Sequence, residues 1–438
     1  MTTAILQVLG IPRFYKKLRF VIDEKEYFEK LSAFAIYKWL KDRKDAKVVL
    51  LAPDSLITEI ENDIDEAVEL LKNREKFKDR ILELLDVDAE VLIIPSVGVY
   101  FRKYTVRFEG SVENTIVYIF KELVKLGIDE IYADISTGQN IYTTSMLEAL
   151  RRYATYRKLR CILQGEKGFS LKLAYVPPVL VEGQRAKVEL HDFDVKVFFS
   201  LPTSNPKGIC RDVEKRRELK EKYNNFFNEI SKDLKTLKMA FNAVKHNVPL
   251  VFYHPEILNL DIDVVSKRDR LLKILEELEE SREIIVNGDS IIVRRPTLDF
   301  GNVANTFFSM AMLQSVIEFW REKVGEPELN SILKTFEEVY KNLGLDVNSK
   351  FLERDVKEIE EKAEGLRGEE LLLNLYPTDQ KPKGSKDPKR NFFAHSGFLR
   401  EITRVKREGN KILLRYDVEA MKRRNVDVKR WLLNPGKS

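Results

Sequence analysis

Short apolar runs alternate with amphipathic helical periods through the first half of this chain, and that rhythm restricts the fold more than any other property of the sequence. The runs at residues 4–10, 47–52, 90–95 and 128–133 each end at or close to Gly, Pro or Asp. Runs of this length and composition read as buried parallel strands. Between them, Ala33, Ile36, Tyr37 and Leu40 fall on one helical stripe. Ile116, Ile119, Phe120, Leu123 and Val124 fall on another that stops at Gly127. Strands alternating with helices of this size imply βαβ units and an open, doubly wound sheet. Residues 101–108 and 171–176 are expected to add late or antiparallel strands, and 195–199 a last one.

Ligands of such a sheet collect at the carboxyl ends of its strands. Three strand ends here carry small or polar residues: Gly10-Ile11-Pro12, Pro95-Ser96-Val97-Gly98, and Asp134-Ile135-Ser136-Thr137-Gly138-Gln139-Asn140. The third leads into a helical segment, 142–153, whose first N–H groups can receive phosphate oxygens. It would serve equally as an ordinary strand-to-helix turn with polar caps. Ala52-Pro53-Asp54-Ser55 ends another strand and has a structural reading. No G-x-G-x-x-G and no Walker-type Gly-Lys-Ser/Thr occurs, which disfavours dinucleotide and P-loop chemistry.

The cluster Pro202-Thr203-Ser204-Asn205-Pro206-Lys207-Gly208 is a strong breaker and the preferred domain boundary. The long helical stretch 211–243 follows, with Tyr223, Phe226, Phe227, Ile230, Leu234 and Leu237 as its buried stripe. A second helix is predicted over 264–280, and Asn287-Gly288 between apolar runs signals a β-hairpin. Helix then hairpin is the order of a winged DNA-binding module, whose reading helix should be basic. Here that helix carries Glu276, Glu277, Glu279 and Glu280, so a linker is expected instead. From residue 298 the pattern is mostly helical, with stretches at 303–323, 326–342 and 352–374, a hairpin over 400–416 and a terminal helix over 421–433.

Within that last part stands Arg390-Asn391-Phe392-Phe393-Ala394-His395. Residues 381–438 hold 17 Lys/Arg against 6 Asp/Glu, although the whole chain of 438 residues is only +5. Asp387-Pro388 is a good helix start and Gly397 an early stop. Asn391 and His395, four apart, would share a face, while Arg390 must swing its long stem to join them. Histidine takes and gives protons near neutrality, and arginine holds phosphate in a planar, always-charged fork. Without a metal, these two residue types suffice to cleave RNA through its own 2′-hydroxyl. The same residues also fit a plain packing helix. Lys381, Lys383, Lys386 and Lys389 surround the pair and are the expected contacts to a phosphate backbone.

Length predicts two or three domains. Cys161 and Cys210 stand alone, with neither metal spacing nor a disulfide framework. The start of the sequence has no basic leader, and no 18-residue apolar span occurs, so a reduced, cytoplasmic protein without membrane contact is expected. A charged fraction of 33% with few Cys and His resembles proteins from hot environments.

Taken together, Phe34-Ala35-Ile36-Tyr37, the strand running into Ala52-Pro53-Asp54-Ser55-Leu56, Ile94-Pro95-Ser96-Val97-Gly98, the 134–140 loop and the Arg390–His395 motif give the chain its likeness. It resembles the CRISPR-associated ribonucleases that join an N-terminal CARF domain, a Rossmann-like sensor of cyclic oligoadenylates, to a C-terminal HEPN nuclease. The loop corresponds to the family's D-[LI]-[ST]-x-G-x-N pattern, and the motif to R-N-x-x-x-H. Many members carry His where this chain has Thr137, which weighs against any role there that needs an imidazole. The resemblance implies an α/β CARF domain at 1–201, a helical linker with a β-hairpin, winged-helix-like, at 209–297, and a mostly α-helical HEPN domain at 298–438. It implies a homodimer, open to higher oligomers, that cuts single-stranded RNA without metal and leaves a 2′,3′-cyclic phosphate. The activator would be a cyclic oligoadenylate, with cyclic tetra-adenylate favoured, bound by Gly10, Ser96, Val97, Gly98, Ser136, Thr137, Gly138, Gln139 and Asn140. Arg390, Asn391 and His395 would be catalytic, with no metal or other cofactor. Two rivals stand beside this reading: a non-catalytic CARF-type sensor or transcriptional regulator, and a HEPN toxin unrelated to CRISPR.

Overall fold

The computed structural model describes residues 2–136, 140–165, 169–177, 185–377 and 387–436. Six strands form the main sheet in the spatial order Glu189–Asp192, Ser170–Tyr175, Glu130–Asp134, Thr3–Val8, Ala46–Pro53 and Glu90–Ile94. All neighbours run parallel except the first pair. The four strands expected from the apolar runs are present. Ser170–Tyr175 also runs parallel, and the antiparallel edge strand is Glu189–Asp192. Residues 195–199 form no strand, so the sheet ends earlier than the sequence suggested.

Every residue of Thr3–Val8 is buried because the sheet is covered on both faces. Ala4, Leu6 and Val8 enter one core with Phe120 and Met146, from the helices Val112–Leu126 and Asn140–Arg160. Ile5 and Leu9 enter another with Ile36 and Ile81, from Ser32–Leu40 and Arg74–Leu85. The first core continues into the C-terminal half. Phe120 packs edge-on against Phe307, with ring centroids 5.5 Å apart, so the two halves bury apolar surface against each other. A fully buried aromatic of this kind contributes about 1.5–3 kcal/mol.

The Asn287-Gly288 hairpin is present, with Gly288 at φ +56°. Its second strand, Ser290–Arg294, pairs in parallel with Thr105–Glu109, which pairs in turn with Gly98–Phe101. The hairpin thus clasps the first domain. The acidity of the helix before it, Val264–Glu280, is taken up by ion pairs with the first domain and with Lys222. Glu276 pairs with Lys125 at 2.7 Å, and Glu277 with Lys222 at 2.8 Å. Glu279 sits between Arg74 at 2.5 Å and Lys121 at 2.9 Å. Burial raises the Glu279 carboxyl's proton affinity, but the two cations outweigh it and hold the pKa below the ordinary range.

The helix Val213–Lys245 has 33 residues, a length of about 50 Å at 1.5 Å per residue. Non-helical angles at Tyr223 bend it. Its far end meets the C-terminal helix, where Asn242 donates to the Leu432 carbonyl at 2.6 Å. The C-terminal half centres on Phe300–Lys323, buried on nearly all sides, flanked by Leu329–Asn342 and Asp346–Lys362. The expected 352–374 helix stops at Lys362. Gly365 and Gly368, at φ +77° and +93°, turn the chain into the strand Gly368–Leu371. That strand extends the expected hairpin, Thr403–Glu408 with Lys411–Tyr416, to three strands. The terminal helix is also divided, into Val418–Arg423 and Val428–Leu433, with Asn425 at φ +52° between them.

Candidate functional site

The Arg-His segment starts where the sequence placed it. The Asp387 carboxylate accepts the Arg390 N–H at 2.9 Å, and Pro388 occupies the first turn of the helix Pro388–Ala394. Phe392 is fully buried and anchors the helix against Trp431, with ring centroids 5.4 Å apart. The helix ends one residue before the histidine. His395 is its C-cap at φ −118°, ψ +46°, and Ser396 and Gly397 follow in the left-handed region at φ +49° and +77°. The His395 N–H still donates to the Asn391 carbonyl at 3.1 Å, so the histidine sits one helical turn beyond the asparagine at the point where the chain leaves the helix.

That turn brings His395 to a residue the sequence reading missed. Its Nδ1 lies 3.9 Å from Oδ1 of Asp355, whose side chain is 4% exposed and belongs to the helix Asp346–Lys362. Asp355 also accepts the Ser396 hydroxyl at 2.6 Å and the Arg354 guanidinium at 2.8 Å. Asn247 donates to the Ser396 Oγ at 2.8 Å. Burial raises the Asp355 pKa, but His395, Ser396 and Arg354 outweigh it and hold it below the usual carboxylate range. A buried carboxylate thus faces one edge of the imidazole. A sequence signal for Asp355 existed: it is a charge set on the apolar stripe of Leu352, Val356 and Ile359.

Arg390 is exposed and has no ion pair among the described residues, and Asn391 is half-buried. Lys389 donates to the Asn434 carbonyl at 2.7 Å, while Lys381, Lys383 and Lys386 lie outside the described residues. A shallow cleft beside His395 is lined by Glu358, Tyr376 and Arg400. There the Arg400 guanidinium lies 3.7 Å from the centre of the Tyr376 ring. The other histidines are placed differently. His254 accepts the Tyr416 N–H at 3.0 Å and faces Glu256 at 2.6 Å. His246 packs against Phe393, and His191 lies on the edge strand of the first domain.

The second candidate site is the carboxyl edge of the main sheet, where the ends of Thr3–Val8, Ala46–Pro53, Glu90–Ile94 and Glu130–Asp134 open the same way. Gly10 donates its N–H to the Tyr15 hydroxyl. Ser96 is 1% exposed, and its Oγ accepts the Ser55 N–H at 3.0 Å while its own N–H donates to Asp54 at 2.9 Å. It therefore ties strand ends together, while Val97 and Gly98, the latter at φ +102°, lie further out. Asp134 is fully buried, which raises its pKa, and it accepts the Ser32 hydroxyl and the Ser136 N–H. The Ser136 Oγ accepts the Val176 N–H at 2.7 Å. Asn140 is exposed at the start of the helix Asn140–Arg160. Thr137, Gly138 and Gln139 lie outside the described residues. Tyr142 and Tyr100 join hydroxyls at 2.7 Å over this edge and were not foreseen. Asp54 holds a structural post, as one reading of its strand end allowed.

Among the described residues, no group of three or more His, Cys, Asp or Glu side chains is placed to hold a metal ion. No described helix is long and apolar enough to cross a membrane.

Fold and site together define a two-part protein: an α/β domain with a polar strand-end edge, and a helical domain presenting an arginine and a carboxylate-backed histidine. Family comparison makes the class specific. The model of the CARF domain of CRISPR system endoribonuclease Csx1 matches residues 4–177, and that of its HEPN domain matches 345–419, together more than half of the chain. The chain belongs to the CRISPR-associated CARF–HEPN ribonucleases, and so pairs a ligand-sensing domain with an RNA-cleaving one. No curated protein matches it.

Proposed function

We propose that the protein is an endoribonuclease that cuts single-stranded RNA without a metal and is switched on by a cyclic oligoadenylate, cyclic tetra-adenylate being favoured. The observation that carries the nuclease half is His395, partly exposed and backed by the buried Asp355 carboxylate. His395 removes the 2′-hydroxyl proton or protonates the departing 5′-oxygen, which leaves a 2′,3′-cyclic phosphate. Arg390 neutralises charge gathering on the phosphorus centre, and Asn391 orients the phosphate. Two copies related by a two-fold axis bring two such sets together, since an isologous contact places identical helices face to face. Lys381, Lys383, Lys386 and Lys389 contact the RNA backbone.

Residues 1–201 sense the ligand, 209–297 link, and 298–438 cut. Across the dimer axis, Gly10, Val97, Gly98, Ser136, Thr137, Gly138, Gln139 and Asn140 receive the ring, and buried Ser96 holds their frame. A site of action in the cytoplasm follows from RNA as substrate. The rival reading, a regulator that reads DNA, is disfavoured because the helix ahead of the hairpin is acidic and its charges pair with the first domain and the long helix.

The test is RNA cleavage in EDTA with a panel of cyclic oligoadenylates. Cleavage that accelerates with one ring size and ignores EDTA is expected. A strict requirement for a divalent ion removes the chemistry proposed for His395, and indifference to every ring size removes the sensor.

A further inference from the structure

The two short helices at the end of the described chain, Val418–Arg423 and Val428–Leu433, carry four cations without a counter-charge. Arg423, Arg424, Lys429 and Arg430 are exposed, and none makes an ion pair among the described residues. Their acidic neighbours are engaged elsewhere. Asp417 pairs with Arg404 at 2.6 Å, Glu419 pairs with Lys422 at 2.9 Å, and Asp427 accepts the Arg430 N–H at 2.9 Å as a helix cap. Nearby basic residues of the small sheet are neutralised, with Arg415 on Glu369 and Lys411 on Glu326.

The last of these helices packs on the catalytic segment. Trp431 packs on Phe392, and Asn434, which ends the last helix, receives the Lys389 side chain. Asn242 of the long helix fixes the Leu432 carbonyl from the other side. Uncompensated guanidinium and ammonium groups on and next to a helix packed against the Arg-His segment are chemically matched to a phosphodiester backbone.

We propose that Arg423, Arg424, Lys429 and Arg430 form a track for single-stranded RNA, gripping phosphates that flank the bond cut at Arg390 and His395. The track rests on the nuclease reading above. It reads no bases: the one aromatic ring on these helices, Trp431, is turned into the protein against Phe392. Its contribution is backbone affinity independent of sequence.

The experiment uses the full chain carrying His395→Ala, so that bound RNA stays intact. Binding of a fluorescent single-stranded RNA of about 20 nucleotides is followed between about 50 and 200 mM salt. Replacing all four residues by Gln is expected to weaken binding and to flatten the plot of log affinity against log salt. The flattening is roughly 0.7 for each phosphate no longer neutralised, close to 3 when all four are released. A charge-retaining variant, R423K/R424K/K429R/R430K, is expected to keep the parent's slope. An unchanged slope in the Gln variant overturns the track, and so does an equal loss in the charge-retaining one, because the effect then follows packing. If the His395→Ala parent binds no RNA at any salt while the wild type cuts none, the nuclease reading falls first and the track with it.

Discussion

Asp54 and Arg295 form a buried ion pair, with side chains 3% and 4% exposed, between the end of a sheet strand and the segment that leads into the nuclease half. The same Asp54 accepts the Ser96 N–H at the candidate ligand edge. Arg295 directly follows the clasping hairpin. Beyond it, Pro296 and Leu298 are held by Asn114 at 2.7 and 3.1 Å before the chain enters Phe300–Lys323. A chain of direct contacts thus runs from Ser96 through Asp54 and Arg295 to the start of the central helix of the C-terminal half. The Arg295 N–H also donates to the Glu109 carbonyl at 3.1 Å, while the Asp54 carboxylate is the charge its guanidinium faces.

Asp54→Asn should therefore strip the guanidinium of the counter-charge it faces. Removing one partner of a buried pair costs about 3–5 kcal/mol, whereas replacing both by apolar residues is often near neutral. The expected result is a clear drop in the urea midpoint for Asp54→Asn, with recovery in Asp54→Leu/Arg295→Met. The double variant should then show weakened activation by ligand. A double variant that activates like the wild type would show that coupling takes another route.

The catalytic assignment makes a second expectation. His395→Ala should lower RNA cleavage by about 10²–10⁴-fold, the usual share of a general acid or base. Asp355→Asn keeps the side-chain shape and an acceptor for Ser396 but loses the charge facing the imidazole. We expect a fall of about 10²-fold, the order seen when a reacting group is misplaced by about an ångström. RNA affinity should remain unchanged, which separates positioning from binding. If Asp355→Asn cuts RNA at the parent rate, the carboxylate is only a helix anchor.

Much of this arrangement was legible in the sequence. The strand runs and their turn residues gave the sheet, Asp387-Pro388 and Gly397 gave the bounds of the Arg-His segment, and Asn287-Gly288 gave the hairpin. What could not be read was pairing at a distance. Asp355 precedes His395 by 40 residues, and no local pattern says that a turn at Ser396 and Gly397 will aim the histidine at it. The acidic run at 276–280 pointed to a linker, but its partners Arg74, Lys121 and Lys125 lie far back in the chain and no local pattern names them. The 352–374 stretch was misjudged because its apolar residues resume at Leu371 and Leu372, after Gly365 and Gly368 had already ended the helix.

Acid should loosen the C-terminal half through His254. Burial is the main cause that lowers its pKa, Glu256 opposes it, and the neutral ring accepts the Tyr416 N–H. The folded pKa lies below the unfolded value of about 6.5, so between the two the unfolded chain binds more protons. The stabilisation is complete above about 6.5 and declines as pH falls through that window. His246, also lowered by burial first and Lys245 second, adds in the same direction. Urea midpoints measured from pH 8 to 5 should fall on the acid side, and less steeply in His254→Gln. Parallel profiles for the two proteins would rule out His254 as a source.

Gly397 should tolerate no side chain. Its φ of +77° lies in the left-handed region, and a Cβ there would stand 2.6 Å from Cγ1 of Val248 and 3.1 Å from the Tyr416 hydroxyl. Tyr416 is itself fixed, because its hydroxyl donates to the Gly397 carbonyl at 3.1 Å and its ring is buried. Neither neighbour can retreat without opening the core, and overpacking of this kind typically costs about 1–3 kcal/mol. The backbone penalty of a left-handed alanine adds about 1 kcal/mol. The turn that carries His395 to Asp355 depends on this glycine, so Gly397→Ala should lose both stability and cleavage. Gly409, at φ +60° with nothing within 4 Å of its added Cβ, is the control. Its alanine variant meets only the backbone cost, and RNA cleavage should survive. Equal losses of cleavage in the two variants would mean that the Val248 contact has no part in setting the catalytic turn.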